Sequence, residues 1–112
     1  MNIRQISDAY SVSPQISVED IAAIKAAGFK SVICNRPDNE DPGQPSAGEI
    51  KAAVEAAGLE FRWVPVISGQ MTAQNVDDQA EVLDALPGPV FAYCRSGTRC
   101  ANLYAAVQQS RG

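Results

Sequence analysis

The chain has 112 residues, of which 46% are apolar and 20% charged, with a net charge of −4 and a sequence pI of about 4.6. That size and apolar share suffice for one domain with its own core, and the dispersed acidic charge excludes a nucleic-acid or anionic-lipid face. Three cysteines and no histidine exclude a disulfide framework, Ser-His-Asp and Cys-His catalysis, and any histidine-ligated metal.

Any anion this chain handles must therefore be small and held by local donors working against the global field. Met1-Asn2-Ile3-Arg4-Gln5 lacks a charged-then-apolar leader pattern, and no apolar run is long enough to span a bilayer. The expected location is the cytoplasm, and no metal or organic cofactor is expected.

In chain order, short β-branched runs alternate with Ala-rich stretches, the pattern of βαβ units around a mostly parallel sheet. After a polar start, Ala9–Val12 reads as a short edge strand. Ser17 and Asp20 form an N-cap signature opening a helix to Ala27, with Ile21 and Ile24 on one face and Gly28 as its stop. Phe29–Cys34 (FKSVIC) is a buried strand. Asn35–Pro45 (NRPDNEDPGQP) is too rich in proline and polar residues for regular structure. Ser46 and Glu49 cap a second helix that Gly58 ends, and Leu59–Val66 (LEFRWVPV) is the next strand. Ser68-Gly69-Gln70 turns into a helix from about Thr72 to Leu86, which Pro87-Gly88-Pro89 breaks. Val90–Tyr93 is a last strand that delivers Cys94, and the chain is helical again from Arg99. The expected fold is a three-layer α/β domain of residues 1–112, with four to five strands. It ends one helix after the Cys94 loop, as a piece of a larger fused protein would.

The chemistry concentrates in Cys94-Arg95-Ser96-Gly97-Thr98-Arg99. Ligands of open parallel sheets bind at the carboxyl ends of strands, where the next helix begins. Ser96, Gly97 and Thr98 are small enough for successive backbone N–H groups to turn inward as an anion cradle. The helix start adds partial positive charge, Arg99 can clamp an oxyanion with a forked pair of hydrogen bonds, and Arg95 adds a second charge. The same features should depress the Cys94 pKa from ~8.5 into the ~3.5–7.5 range. The competing reading of Cys94 is an inert buried thiol. Two arginines flanking a Ser-Gly-Thr turn are hard to explain as packing.

The CRSGTR loop looks like the active-site loop of rhodanese-type sulfurtransferases, in which a cysteine persulfide forms inside a ring of backbone amides. The rest of the chain, with NRPDNEDPGQPS in the first long loop, VPV after the next strand and YCRSGTR, resembles the phosphatase-like domain of bacterial beta-lactamase-hydrolase-like proteins. This resemblance implies a dual-specificity-phosphatase-like fold. Relatives of that domain accompany persulfide dioxygenases and sulfide-oxidising enzymes, which would make such an enzyme a fused or associated partner.

Thiolate and anion cradle serve both chemistries. Cysteine phosphatases resemble one another in placing five residues between nucleophile and arginine, usually with a histidine before the cysteine. Here four residues separate Cys94 from Arg99, and Tyr93 precedes the cysteine. Where dual-specificity phosphatases carry an aspartate as general acid, this chain has Ile67-Ser68-Gly69-Gln70. Asp77 and Asp78 fall inside a helix as solvated residues, and Asp38 and Asp41 are loop residues that could swing in. Sulfur transfer needs no such acid, because sulfite and thiolates leave unaided.

The sequence-based expectation is thus a sulfurtransferase. Cys94 would take sulfane sulfur from thiosulfate or glutathione persulfide and pass it to a thiol or sulfite, with Arg99 assisting and Arg95, Ser96, Gly97 and Thr98 binding the donor. The alternatives are a cysteine-dependent phosphatase working through a Cys94 phospho-enzyme and a non-catalytic persulfide or redox sensor. Cys100 could hydrogen-bond the Cys94 thiolate or act as a resolving thiol, against a plain packing role. Cys34 is better read as core. Arg36 could add positive potential at the pocket mouth, Arg62 points to a solvated face, and Trp63 and Tyr93 are core or pocket wall.

Overall fold

A computed structural model describes residues 1–111. Its centre is a five-stranded sheet in the order β1-β2-β5-β3-β4, with β1 (Arg4–Ser7), β2 (Tyr10–Ser13), β3 (Ser31–Cys34), β4 (Glu60–Trp63) and β5 (Val90–Tyr93). All neighbours run parallel except β1, which pairs antiparallel with β2. Every residue of β2, β3 and β5 is buried, as strands covered on both faces require. Their register sets Ser13 and Cys34 opposite Tyr93, so the strand ends stand level and Cys94 emerges from the central one.

The pleat divides the side chains between two cores. On one face Val32, Cys34, Phe91 and Tyr93 pack under α1 (Ile21–Ala26) and α2 (Ala47–Ala56). On the other, Tyr10, Val12, Ile33, Ala92 and Cys94 pack under α3 (Ala73–Ala85) and α4 (Thr98–Arg111), the latter through Cys100. The three-layer α/β arrangement matches the sequence expectation.

Two local expectations are corrected and a third, core or pocket wall for Trp63, is narrowed to the second. The strand read at Ala9–Val12 is no edge; as Tyr10–Ser13 it lies between β1 and β5. The edge is the polar start itself, because a strand paired on one side tolerates exposed Arg4 and Gln5 where an inner strand would not. The helix expected from Ser17 opens as a 3-10 turn, Val18–Asp20, with the Ser17 amide donating to Asp20 Oδ2 at 2.9 Å before α1 begins. Trp63 is 46% exposed and not a core residue. It lies on the rim of a surface groove, its indole N–H donating to the Arg36 carbonyl at 2.9 Å.

Candidate active site

The loop after β5 is anchored on both sides. The Cys94 amide donates to the Ser13 carbonyl at 3.3 Å, the Asn35 amide to the Tyr93 carbonyl at 2.9 Å, and the Gln15 amide to the Arg95 carbonyl at 3.3 Å. Gly97 has φ of +91°, and a Cβ there would lie 3.4 Å from the Ser13 carbonyl carbon. Only glycine takes that conformation without strain while the loop closes on β2. The Ala101 amide bonds the Gly97 carbonyl at 3.1 Å and starts α4 directly behind the loop.

Cys94 is fully buried, and the Gly97 amide donates to its Sγ at 3.0 Å. Its pKa is lowered to about 5. The Cys100 side chain is the largest cause; the Cys100, Ser96 and Gly97 amides add to it and together overcome the opposing effect of burial. A depressed pKa was expected from the inward amides, the helix start and the arginines; the amides contribute, and the arginines are not among the leading causes. Cys100, with its own ionisation pushed up by burial and by Cys94, stays a neutral thiol able to donate. Of the other loop residues, Ser96 and Thr98 are exposed and joined by their hydroxyls at 3.2 Å. Cys34 belongs to the opposite core, on the far face of the sheet from Cys94, with its thiol donating to the Arg36 carbonyl at 3.4 Å.

The loop following β3 folds over the Cys94 loop and brings an ion-pair network with it. Arg99 Nη1 and Nη2 donate to the two carboxylate oxygens of Glu40, both at 2.8 Å, and Nη1 also reaches the Val66 carbonyl at 2.9 Å. Arg36 donates from Nε to Glu40 at 2.7 Å, from Nη2 to Asp41 at 2.7 Å and from Nη1 to Gln15 at 2.9 Å. Arg95, exposed at the rim, lies 3.2 Å from the Asp41 carboxylate. Arg99, first, and Arg36 hold the Glu40 carboxyl below its ordinary value.

These contacts revise several expectations. Arg36 adds no free positive potential at the mouth; it is 2% exposed and paired with two carboxylates. Asp38 accepts from the Ala47 amide at 2.7 Å and so caps α2. Asp41 is held by Arg36 and Arg95. Asp77 is exposed and Asp78 pairs with Gln74 on α3, as solvated residues do. Arg62 is solvated beside Glu60.

Glu40 escaped the sequence reading, although it stands between two aspartates that were weighed. The Arg36–Glu40 spacing was visible, but the Arg99 partner is 59 residues away. Also unforeseen is a buried polar chain. Asn35 Nδ2 donates to Gln79 Oε1 at 3.0 Å, Gln79 Nε2 to the Tyr10 hydroxyl at 3.2 Å, and that hydroxyl to the Cys100 carbonyl at 3.0 Å. Among the described residues, no group of three or more acidic or cysteine side chains is placed to hold a metal, and no helix is long and apolar enough to cross a membrane.

The arrangement supplies a thiolate at neutral pH, backbone donors around it and a guanidinium beside it. Comparison with known proteins agrees with that picture. The family model "Beta-lactamase hydrolase-like protein, phosphatase-like domain" matches residues 2–111. A beta-lactamase hydrolase-like protein of Agrobacterium fabrum is 36% identical over 104 residues, covering 93% of this chain and 24% of its own length. The chain thus spans about a quarter of that relative. A crystal structure of a putative phosphatase from Neisseria meningitidis superposes with a TM-score of 0.90 at 34% identity, covering all of this chain and 80% of that one. The core catalytic domain of a PP-IP phosphatase from S. cerevisiae shares the fold at a TM-score of 0.74 and 13% identity, over 97% of this chain and 65% of that one. With its dual-specificity-phosphatase-like fold and its cysteine loop at the end of the central strand, this chain belongs to the family of phosphatase-like domains of beta-lactamase hydrolase-like proteins.

Proposed function

We propose that this domain is a cysteine-dependent phosphatase. The observation that carries this reading is the Cys94 thiolate, held at a pKa of about 5 within backbone amides and five residues before Arg99. Cys94 Sγ attacks the phosphorus of a phosphate monoester, the ester P–O bond breaks, and the alkoxide or phenoxide departs with the bonding electrons, to be protonated by water. Water then attacks the phosphocysteine, releasing inorganic phosphate and restoring the thiolate. The inward amides and Arg99 balance the charge that builds on the phosphoryl oxygens. Binding of a dianion against a net charge of −4 falls to these local donors.

Asp38, Glu40 and Asp41 are each engaged with an amide or an arginine, and Glu40 is held ionised. The leaving oxygen therefore receives no proton from these carboxyls, help that is worth ~10²–10⁴ in rate where it exists. Aryl phosphates, whose leaving groups need less protonation, should turn over at least about tenfold faster than alkyl phosphates.

A second reading, sulfur transfer through a Cys94 persulfide, is favoured by two features: only four residues separate Cys94 from Arg99, and no acid is poised. In that reading Cys94 takes the outer sulfur of thiosulfate or glutathione persulfide, sulfite or thiolate leaves, and a thiol removes the sulfur. Either chemistry needs a reduced thiol, which suits the cytoplasm. A fused or associated persulfide-oxidising enzyme would be the natural partner of the second.

The deciding experiment incubates the reduced protein separately with an aryl phosphate, thiosulfate and glutathione persulfide and measures intact masses. A phosphoryl adduct on Cys94 or free phosphate, lost in Cys94→Ser and largely lost in Arg99→Ala, supports the phosphatase. One added sulfur atom at Cys94, removable by cyanide, without any phosphate release, replaces it with the transferase.

A further inference from the structure

We infer that Glu40 is a positioning residue that presents Arg99 to an oxyanion bound at Cys94. The proposal rests on the reading of Cys94 and Arg99 as an oxyanion-handling centre, whichever reaction follows.

A guanidinium carries five N–H donors in a rigid plane. Among the described residues, three of those of Arg99 are engaged: both Nη1 hydrogens, on Glu40 Oε2 and the Val66 carbonyl, and one Nη2 hydrogen, on Glu40 Oε1. The Glu40 carboxylate thereby occupies the end-on fork. Nε–H and the second Nη2–H remain, and these two are parallel and form a side-on fork matched to one edge of a tetrahedral oxyanion. Glu40 is itself fixed, since Arg36 Nε donates to its Oε1 at 2.7 Å and Arg36 is buried and tied to Gln15 and Asp41. Gln15 in turn donates through its amide to the Arg95 carbonyl within the Cys94 loop. The loop after β3 therefore sets the orientation of an arginine 59 residues away in sequence, and it does so from side chains already locked in place.

Two roles are open to a carboxylate in this position, and they predict opposite signs. A positioning carboxylate strengthens anion binding through the fork it leaves free. A plug that occupies the anion's own place weakens it. The test follows the protection of Cys94 from iodoacetamide by inorganic phosphate and by sulfate at neutral pH, in wild type, Glu40→Gln, Glu40→Asp, Asp84→Asn and Arg99→Ala. Thermal melts would verify that each variant is folded.

The expected result is that Glu40→Gln requires at least about tenfold more anion for half protection, the loss of a charge-assisted two-point contact. Its anion-free alkylation rate, which reports the thiolate alone, should stay within about twofold. Arg99→Ala should lose protection, while Asp84→Asn, which removes the exposed Arg111 ion pair away from the site, should retain it. Glu40→Asp, with its charge kept but its carboxylate drawn back, should fall between wild type and Glu40→Gln. It also serves as the test variant if Glu40→Gln does not fold. Equal or tighter protection in the Glu40 variants overturns the positioning role in favour of a plug. A wild type that neither anion protects overturns instead the oxyanion reading beneath it.

Discussion

Cys94 is a buried sulfur held as an anion, because an amide at 3.0 Å and the thiol of Cys100 stabilise the charge that burial opposes. Its pKa falls from an ordinary 9.0 to about 5, so the folded chain binds fewer protons at this group than the unfolded chain between those values. The thiolate's contribution to stability is therefore complete above about pH 9 and lost as pH falls through 5. Compared with Cys94→Ser, wild-type stability should rise by on the order of 2 kcal/mol from pH 5 to pH 7 in urea titrations. Iodoacetamide should alkylate Cys94 with a midpoint near pH 5. In Cys100→Ala that midpoint should move to higher pH, because the largest lowering influence has gone. An unmoved midpoint would assign the thiolate to the amides alone. The lowered pKa of Cys94 was readable from CRSGTR. Cys100, its leading cause, was readable as a possible hydrogen-bond donor to the thiolate from its place directly after Arg99, but a plain packing role weighed as heavily until the structure set the two sulfurs together.

At the scale of elements, capping signals were dependable because they are local chemistry. Ser46 accepts from the Glu49 amide at 3.1 Å and Thr72 from the Asn75 amide at 3.0 Å, each at the start of the helix expected there. Elements whose identity depends on neighbours read less well; β1 is polar and exposed and exists because β2 offers it an edge. The buried polar chain from Asn35 through Gln79 and Tyr10 to the Cys100 carbonyl joins β3, α3, β2 and α4. Gln79 is 0% exposed at its centre. Gln79→Leu keeps the volume but leaves one Asn35 amide hydrogen without its acceptor and the Tyr10 hydroxyl without its donor. It should cost about 2–4 kcal/mol in chemical denaturation. A loss below about 0.5 kcal/mol would mean that the chain is not a structural tie.

Across the whole molecule, the two cores share one sheet. Phe91, facing α1 and α2, and Ile33, facing α3 and α4, sit on adjacent central strands and are both 0% exposed. Phe91→Ala should cost about 3–5 kcal/mol and Ile33→Ala about 2–5 kcal/mol. Because one sheet carries both faces, each variant should lower a single calorimetric transition. Two separating transitions would show the layers to be independent.

The sequence by itself determined the α/β class, the starts of α2 and α3 and the Cys94 loop, since hydrophobic alternation, capping boxes and a Ser-Gly-Thr turn act over a few residues. Only the tertiary structure decided which carboxylate meets Arg99, why Arg36 is buried, and on which face of the sheet Cys34 and Cys100 lie relative to Cys94. Those pairings join residues far apart in the chain, and their geometry exists only once strand order and register have brought the loops together at one end of the sheet.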